Sequence, residues 1–113
     1  MSAARSHDGG SQKATRLERQ LRDVSARLKQ TREELNIATE QLAVFRDQAE
    51  EARVRSLVSE TPIAEQEYRE NQRHAQVMER HHAELTAQAG RLDDEQSGLL
   101  DRLAAVLRES EDV

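Results

Sequence analysis

Cysteine is absent from this chain of 113 residues, and proline occurs only once. Without thiols the chain has no disulfide framework, no thiolate metal ligand and no cysteine nucleophile. No apolar run approaches the ~18 residues that indicate a membrane span, and residues 1–12 lack the apolar stretch of a signal peptide. We therefore expect a cytoplasmic protein without a membrane-spanning segment.

Aromatic residues are also scarce, with one Phe and one Tyr. Charged residues make up 35% of the chain and give a net charge of -5. Because acidic and basic residues alternate, the sequence contains no basic stripe with interleaved aromatics of the kind that binds nucleic acid. Direct nucleic-acid binding is therefore not expected.

The apolar residues that are present follow a heptad pattern. Two seams alternate steps of three and four residues, which is the a and d repeat of a coiled coil. The first seam consists of Ala14, Leu17, Leu21, Val24, Leu28, Thr31, Leu35, Ala38, Leu42, Phe45, Ala49 and Ala52. The second consists of Ala64, Tyr68, Asn71, Ala75, Met78, His82, Leu85, Ala89, Leu92, Gln96, Leu99, Leu103 and Val106.

The two seams are mirror images about Glu60. If the chain folds back there, the a positions of one helix meet the d positions of the other, and Leu28 faces Leu92. The sequence therefore predicts an all-α fold, an antiparallel two-helix coiled-coil hairpin. Charges beside the seam fit this register, because it brings opposite charges level. The predicted ion pairs are Arg55 with Glu67, Arg27 with Glu95, Lys13 with Glu109 and Arg53 with Glu65.

The domain boundaries follow from local signals. Residues 1–12, with Gly9 and Gly10 and no periodicity, predict a disordered tail. Helices are predicted over 13–58 and 62–108, around an apex at 59–61, with a short acidic fraying end at 109–113. Pro62 suits a first helical position, and Thr61 suits the cap before it.

The apex is the first candidate site, because apolar residues occur there outside the seam. They are Leu57, Val58 and Ile63, next to Glu60. One interpretation is that they close the end of the hydrophobic core. The other is that the apex presents them, with the charge of Glu60, to a pocket or channel of a protein partner.

The apex also carries two resemblances. A hairpin ending in Leu57-Val58-Ser59-Glu60 is similar in architecture to bacterial factors that insert an acidic coiled-coil tip into the secondary channel of RNA polymerase. That resemblance implies transcription-associated binding, although the paired acidic residues that hold a metal in the transcript-cleavage factors are absent here. The element Ser59-Glu60-Thr61-Pro62, with Glu67-Tyr68 after it, resembles small uncharacterised coiled-coil proteins of high-GC bacteria, which implies no activity.

The side of the hairpin is the second candidate site. Positions c and g of both helices lie on one side, and in mid-chain they carry few charges. The predicted dimer face consists of Ile37, Gln41, Val44, His74, Val77 and His81. Such an apolar patch with a neutral polar rim predicts a homodimer, in which two hairpins form a four-helix bundle.

Catalytic and cofactor sites are not expected, because a two-helix hairpin offers no cleft that excludes water. His82 lies within the seam, where a polar residue fixes helix register. Its neighbours Met78, His74 and His81 lack a thiolate, so they do not predict a metal site. The sequence thus predicts a non-enzymatic interaction or scaffold protein. The alternatives are a polymerase-binding factor and a self-assembling structural subunit.

Overall fold

A computed structural model describes the backbone of residues 2–111 and the side chains of residues 9–111. It contains two helices, α1 (Ser2–Ser59) and α2 (Pro62–Glu111), and no strand within the described residues. The two helices pack antiparallel against each other. The predicted all-α helical hairpin is therefore confirmed.

The helix ends differ from the predicted boundaries at both termini. α1 begins at Ser2, ahead of the predicted start at residue 13, and α2 continues to Glu111, past the predicted end at residue 108. The predicted disordered tail at 1–12 lies largely outside the residues whose side chains are described. The last two residues of the predicted fraying end, 112 and 113, lie outside the described residues altogether.

The turn between the helices consists of only two residues. Glu60 has a left-handed backbone, with φ at 49°, and its N–H donates to the Ser56 carbonyl at 3.1 Å. This is the backbone conformation in which many helices end, although glycine usually occupies it. Thr61 then caps α2, because its Oγ1 accepts the Ala64 N–H at 3.2 Å. Pro62 takes the first helical position, where its missing N–H costs no hydrogen bond.

Packing falls into two units. In the unit formed by Met1–Gln30 and Ala89–Val113, the core cluster is Val24, Leu28, Leu92 and Leu99, flanked by Leu17, Leu21 and Ala89. In the unit Thr31–Gln88, the buried apolar residues are Ala38, Leu42, Ala52, Ala64, Ala75 and Leu85. Every residue of the two predicted seams is buried or half-buried. The heptad assignment therefore identifies the core in both units.

Two polar residues within the seam form hydrogen bonds with residues next to it. In the unit Thr31–Gln88, His82 Nε2 lies 2.9 Å from Thr39 Oγ1 across the two helices. In the other unit, Gln96 Nε2 donates to Ser25 Oγ at 2.9 Å. Each bond requires one particular alignment of α1 with α2, so these residues select the register as well as satisfying polar groups.

At the apex end of the hairpin, the observed ion pairs differ from the predicted ones. Arg53 was expected to pair across the hairpin with Glu65, but it pairs with Glu50 on its own helix. Glu65 pairs with Arg69, also on its own helix. Partners one helical turn apart are already neighbours, so these pairs form without any reach across the seam. A cross-helix pair does form between Arg46 and Glu79, at 3.3 Å.

Candidate functional site

The apolar residues at the apex point into solvent. The core ends at Ala52 and Ala64, which are 1% and 8% exposed. Beyond them, Leu57 is 63% exposed, Val58 79% and Ile63 71%. The interpretation that these three side chains close the end of the core is therefore wrong, because they lie mostly in solvent, beyond the last buried residue of each helix.

A fourth apolar residue, Val54, belongs to the same surface. It is 47% exposed and precedes Leu57 and Val58 by three and four residues. Side chains at these spacings lie on one face of a helix. Val54 is not among the residues predicted from the sequence, because it lies outside the seam, although its helical spacing to Leu57 is a usable signal. We call Val54, Leu57, Val58 and Ile63 the apolar apex.

Polar residues lie close to the apolar apex along the chain. Glu60 is exposed at the turn, where its left-handed backbone is held by the hydrogen bond to Ser56. Arg53 donates to both carboxylate oxygens of Glu50, at 3.0 and 2.6 Å. This side-chain hydrogen bonding holds the pKa of Glu50 below its ordinary value and raises the pKa of Arg53. One turn before Leu57, the apex therefore carries a closed ion pair.

The predicted dimer face is exposed on both helices. Ile37 is 56% exposed, Val44 54% and Val77 59%. The other members, Gln41, His74 and His81, are exposed as well. The ring of His74 meets Phe45 edge-on, with centroids 6.2 Å apart, so α1 and α2 are in contact beside Val44. The structure thus places these residues on an open surface, which remains a predicted interface.

The opposite side of the same unit is polar. A shallow groove there is lined by residues that include Arg46, Glu50, Arg53 and Glu79. These four side chains form the two ion pairs Arg46–Glu79 and Arg53–Glu50. Because the charges neutralise one another and the groove is open to water, the arrangement offers no water-excluding cleft for chemistry.

The three histidines whose side chains the structure describes do not converge on one site. His82 is bound to Thr39, His74 contacts Phe45, and His81 is exposed. Within the described residues, no group of three or more His, Asp or Glu side chains is arranged to hold a metal ion. Neither described helix contains a stretch long and apolar enough to cross a membrane.

Comparison with known proteins identifies no relative. No family model, curated protein or solved structure matches this chain.

Proposed function

We propose that this protein is a non-enzymatic interaction protein whose apolar apex inserts into an apolar pocket of a protein partner. The observation that carries the proposal is the exposure of Leu57, Val58 and Ile63 on a two-residue turn. Exposed apolar clusters of this kind mark interaction sites. The proposed setting is the cytoplasm, without direct nucleic-acid binding.

The apex is suited to insertion because it is narrow and preorganised. Its four apolar side chains project from two packed helices joined by a turn in which Thr61 caps α2. Little conformational entropy is then lost on binding. A left-handed backbone at a residue other than glycine costs about 1–2 kcal/mol, and such positions concentrate at functional sites. Glu60, with φ at 49°, is such a position.

The size of the apex sets the strength of the interaction. Complete burial of one Val, Leu or Ile side chain contributes about 1.5–3 kcal/mol. Association costs an estimated 4–15 kcal/mol in lost translational and rotational freedom. Because the four side chains are 47–79% exposed, each gains only part of that amount on burial. Their total lies in the lower half of the association cost, so the apex alone supports a transient complex rather than a permanent one.

Binding to RNA polymerase is a more specific form of the same proposal. It is supported by the exposed carboxylate of Glu60 at the apex and by the architectural resemblance to channel-inserting hairpins. The chain's own apex differs, because Glu60 lies between Ser59 and Thr61 and has no second acidic residue beside it. A polymerase subunit among the apex-dependent partners would support this form.

Self-association is the second candidate function. It is supported by the exposure of Ile37, Val44 and Val77, which a face-to-face homodimer would bury. A structural subunit would use the same surface to assemble further. Val44→Glu is expected to leave helicity intact and to abolish any such dimer, which sedimentation velocity measures directly.

The apex proposal is tested by affinity capture from cells of the source organism with two matched variants. The apex variant combines Leu57→Ser, Val58→Ser and Ile63→Ser. The side variant combines Ile37→Ser, Val44→Ser and Val77→Ser. Each removes three exposed apolar side chains, and circular dichroism checks that both remain as helical as the parent.

We expect at least one protein to be captured by the parent and the side variant but not by the apex variant. Partners that bind all three proteins equally would contradict the proposal, and so would partners lost only with the side variant.

A further inference from the structure

The two sides of the unit Thr31–Gln88 differ in how their charges are neutralised. On one side, Arg46–Glu79, Arg53–Glu50 and Arg69–Glu65 form ion pairs. The other side carries Glu51, Glu70 and Glu84, all exposed. Among the described residues, none of these three is ion-paired with an arginine or lysine, and Glu70 accepts only a neutral amide hydrogen bond, from Gln66 at 3.3 Å. Arg55 and Glu67 lie on the same side, so it carries more carboxylates than cations and is negatively charged overall.

These carboxylates alternate with the exposed apolar residues in a regular way. On α1, Ile37, Val44 and Glu51 follow one another at seven-residue steps. On α2, the corresponding stripe is Glu70, Val77 and Glu84. A seven-residue step is about 10 Å along a helix and returns to the same face. We call these six residues, three on each helix, the acidic stripe.

The contacts between α1 and α2 show which residues of the acidic stripe lie side by side on the two helices. His82 contacts Thr39, and His74 contacts Phe45, so the numbers of facing residues sum to about 120. Val44 and Val77 are then level with each other. Glu51 and Glu70 are level on the apex side of them, and Ile37 is level with Glu84 on the other side. The stripe thus has an apolar centre with carboxylates about 10 Å away on both sides.

A second copy of this chain, the occupant that the self-association candidate requires, fits this surface less well than a basic segment does. In a face-to-face dimer with the hairpins parallel, Glu51 would lie against Glu70 of the other copy, and Glu70 against its Glu51. With the hairpins antiparallel, the same two carboxylates would meet Ile37 and Glu84. Either arrangement places carboxylates against carboxylates or apolar groups, and burial of unpaired charge is costly.

We infer that the acidic stripe binds an amphipathic helical segment of a protein partner, apolar at its centre and basic at both ends. Two helices side by side form a shallow groove into which a third helix packs, as in other helix-in-groove complexes. Its apolar residues would cover Val44, Val77 and Ile37. Its lysines or arginines would lie level with Glu51 and Glu70 at one end and Glu84 at the other. This surface is separate from the apolar apex, so either inference can fail without the other.

The test uses a defined probe, a fluorescein-labelled helical peptide of about 18 residues, which is ~27 Å long and covers the stripe. It consists of Leu, Ala and Lys, with leucines along one face at its centre and lysines at both ends. A second peptide has glutamate in place of every lysine. Binding is measured by fluorescence anisotropy at about 0.15 M salt, where charges more than ~8 Å apart are largely screened.

Two charge variants of the protein are compared. The stripe variant combines Glu51→Lys, Glu70→Lys and Glu84→Lys. The control variant combines Glu33→Lys, Glu40→Lys and Asp47→Lys, which makes the same change in net charge on the outer surface of α1, away from the seam. Circular dichroism checks that both retain the parent's helicity.

We expect the lysine peptide to bind the parent, to bind the stripe variant about tenfold more weakly or worse, and to bind the control variant within about threefold of the parent. The glutamate peptide should not bind. The double variant Val44→Ser, Val77→Ser should also weaken binding of the lysine peptide.

Equal weakening by the two charge variants would overturn the inference, since it would show attraction to net charge alone. No binding of the lysine peptide to the parent would overturn it as well. A concentration-dependent dimer of the parent that Val44→Glu abolishes would assign the stripe to a second copy instead.

Discussion

His82 shows how a single polar residue is accommodated within an apolar seam. Thr39 Oγ1 lies 2.8 Å from the Leu35 carbonyl and 2.9 Å from His82 Nε2. A hydroxyl has one proton, and the carbonyl can only accept, so the hydroxyl donates to Leu35. The His82 ring must then donate its Nε2–H to the hydroxyl. This hydrogen bond joins α1 to α2 and fixes the tautomer of the imidazole.

Replacement of Thr39 by valine is expected to destabilise the protein by about 1 kcal/mol, because the half-buried His82 N–H loses its acceptor while the volume of the side chain hardly changes. Urea unfolding followed by circular dichroism measures the change, and Thr39→Ser, which keeps the hydroxyl, is the control. Equal stability of the valine and serine variants would show that the hydrogen bond contributes nothing.

The Glu50–Arg53 pair predicts a local dependence on pH. Hydrogen bonds from Arg53 lower the folded-state pKa of Glu50 below its unfolded value. The pair therefore stabilises the fold fully above the unfolded pKa of Glu50, and this contribution is lost as the pH falls through the lowered folded-state pKa. Both side chains are well exposed, so the contribution is small.

Arg53→Gln is expected to raise the pKa of Glu50 toward its ordinary value, because the charged donor is removed. A carboxyl-detected NMR titration in mild acid measures this shift. Arg69→Gln is the matched control, since Arg69 pairs with Glu65 instead. If the pKa of Glu50 stayed the same in Arg53→Gln, the hydrogen bonds would not be its cause.

At the scale of the helices, the sequence predicts the features that depend on apolar residues and on backbone conformation. Heptad spacing identifies the buried residues, and Thr61 with Pro62 marks the start of α2. It does not predict the partners of long charged side chains, because one arginine can reach several carboxylates with little difference in energy. Arg53 illustrates this, since it pairs within its helix and not with Glu65.

Two glycines in α2 provide a test at the same scale. A Cβ added at Gly90 or Gly98 meets no atom within 4 Å, and both positions have helical backbone. Each substitution by alanine is therefore expected to raise the free energy of unfolding by about 0.5–1 kcal/mol. Urea unfolding of each single variant and of the double variant measures the gain. A loss of stability would mean that the glycines serve close packing that the structure does not contain.

At the scale of the whole molecule, the hairpin requires that α1 and α2 of one chain pair with each other. The chain has no native cysteine, so Ser25→Cys with Gln96→Cys introduces the only two thiols. Because these side chains are hydrogen-bonded across the helices, a short bismaleimide is expected to join them within one chain at low protein concentration. Mass spectrometry would show a crosslinked monomer. Crosslinked dimers as the main product would instead indicate open chains paired side by side.

The candidate sites were predictable in part. The sequence identifies Leu57, Val58 and Ile63 as apolar residues outside the seam. It does not predict their exposure, because that depends on the core ending at Ala52 and Ala64. The charge of the side surface was also missed. The sequence does not distinguish Glu51 and Glu70 from Glu50 and Glu65, and only the structure shows that the latter two are ion-paired with arginines.

The central claim is that a protein partner binds at the apolar apex, and site-specific photo-crosslinking in cells of the source organism tests it most directly. A photo-reactive amino acid is placed at Val58, the most exposed of the apex residues, and in a second protein at Glu40, on the outer surface of α1. We predict a discrete crosslinked product with another protein from position 58 and none from position 40. No product from position 58, or the same product from both positions, would contradict the proposed function of the apex.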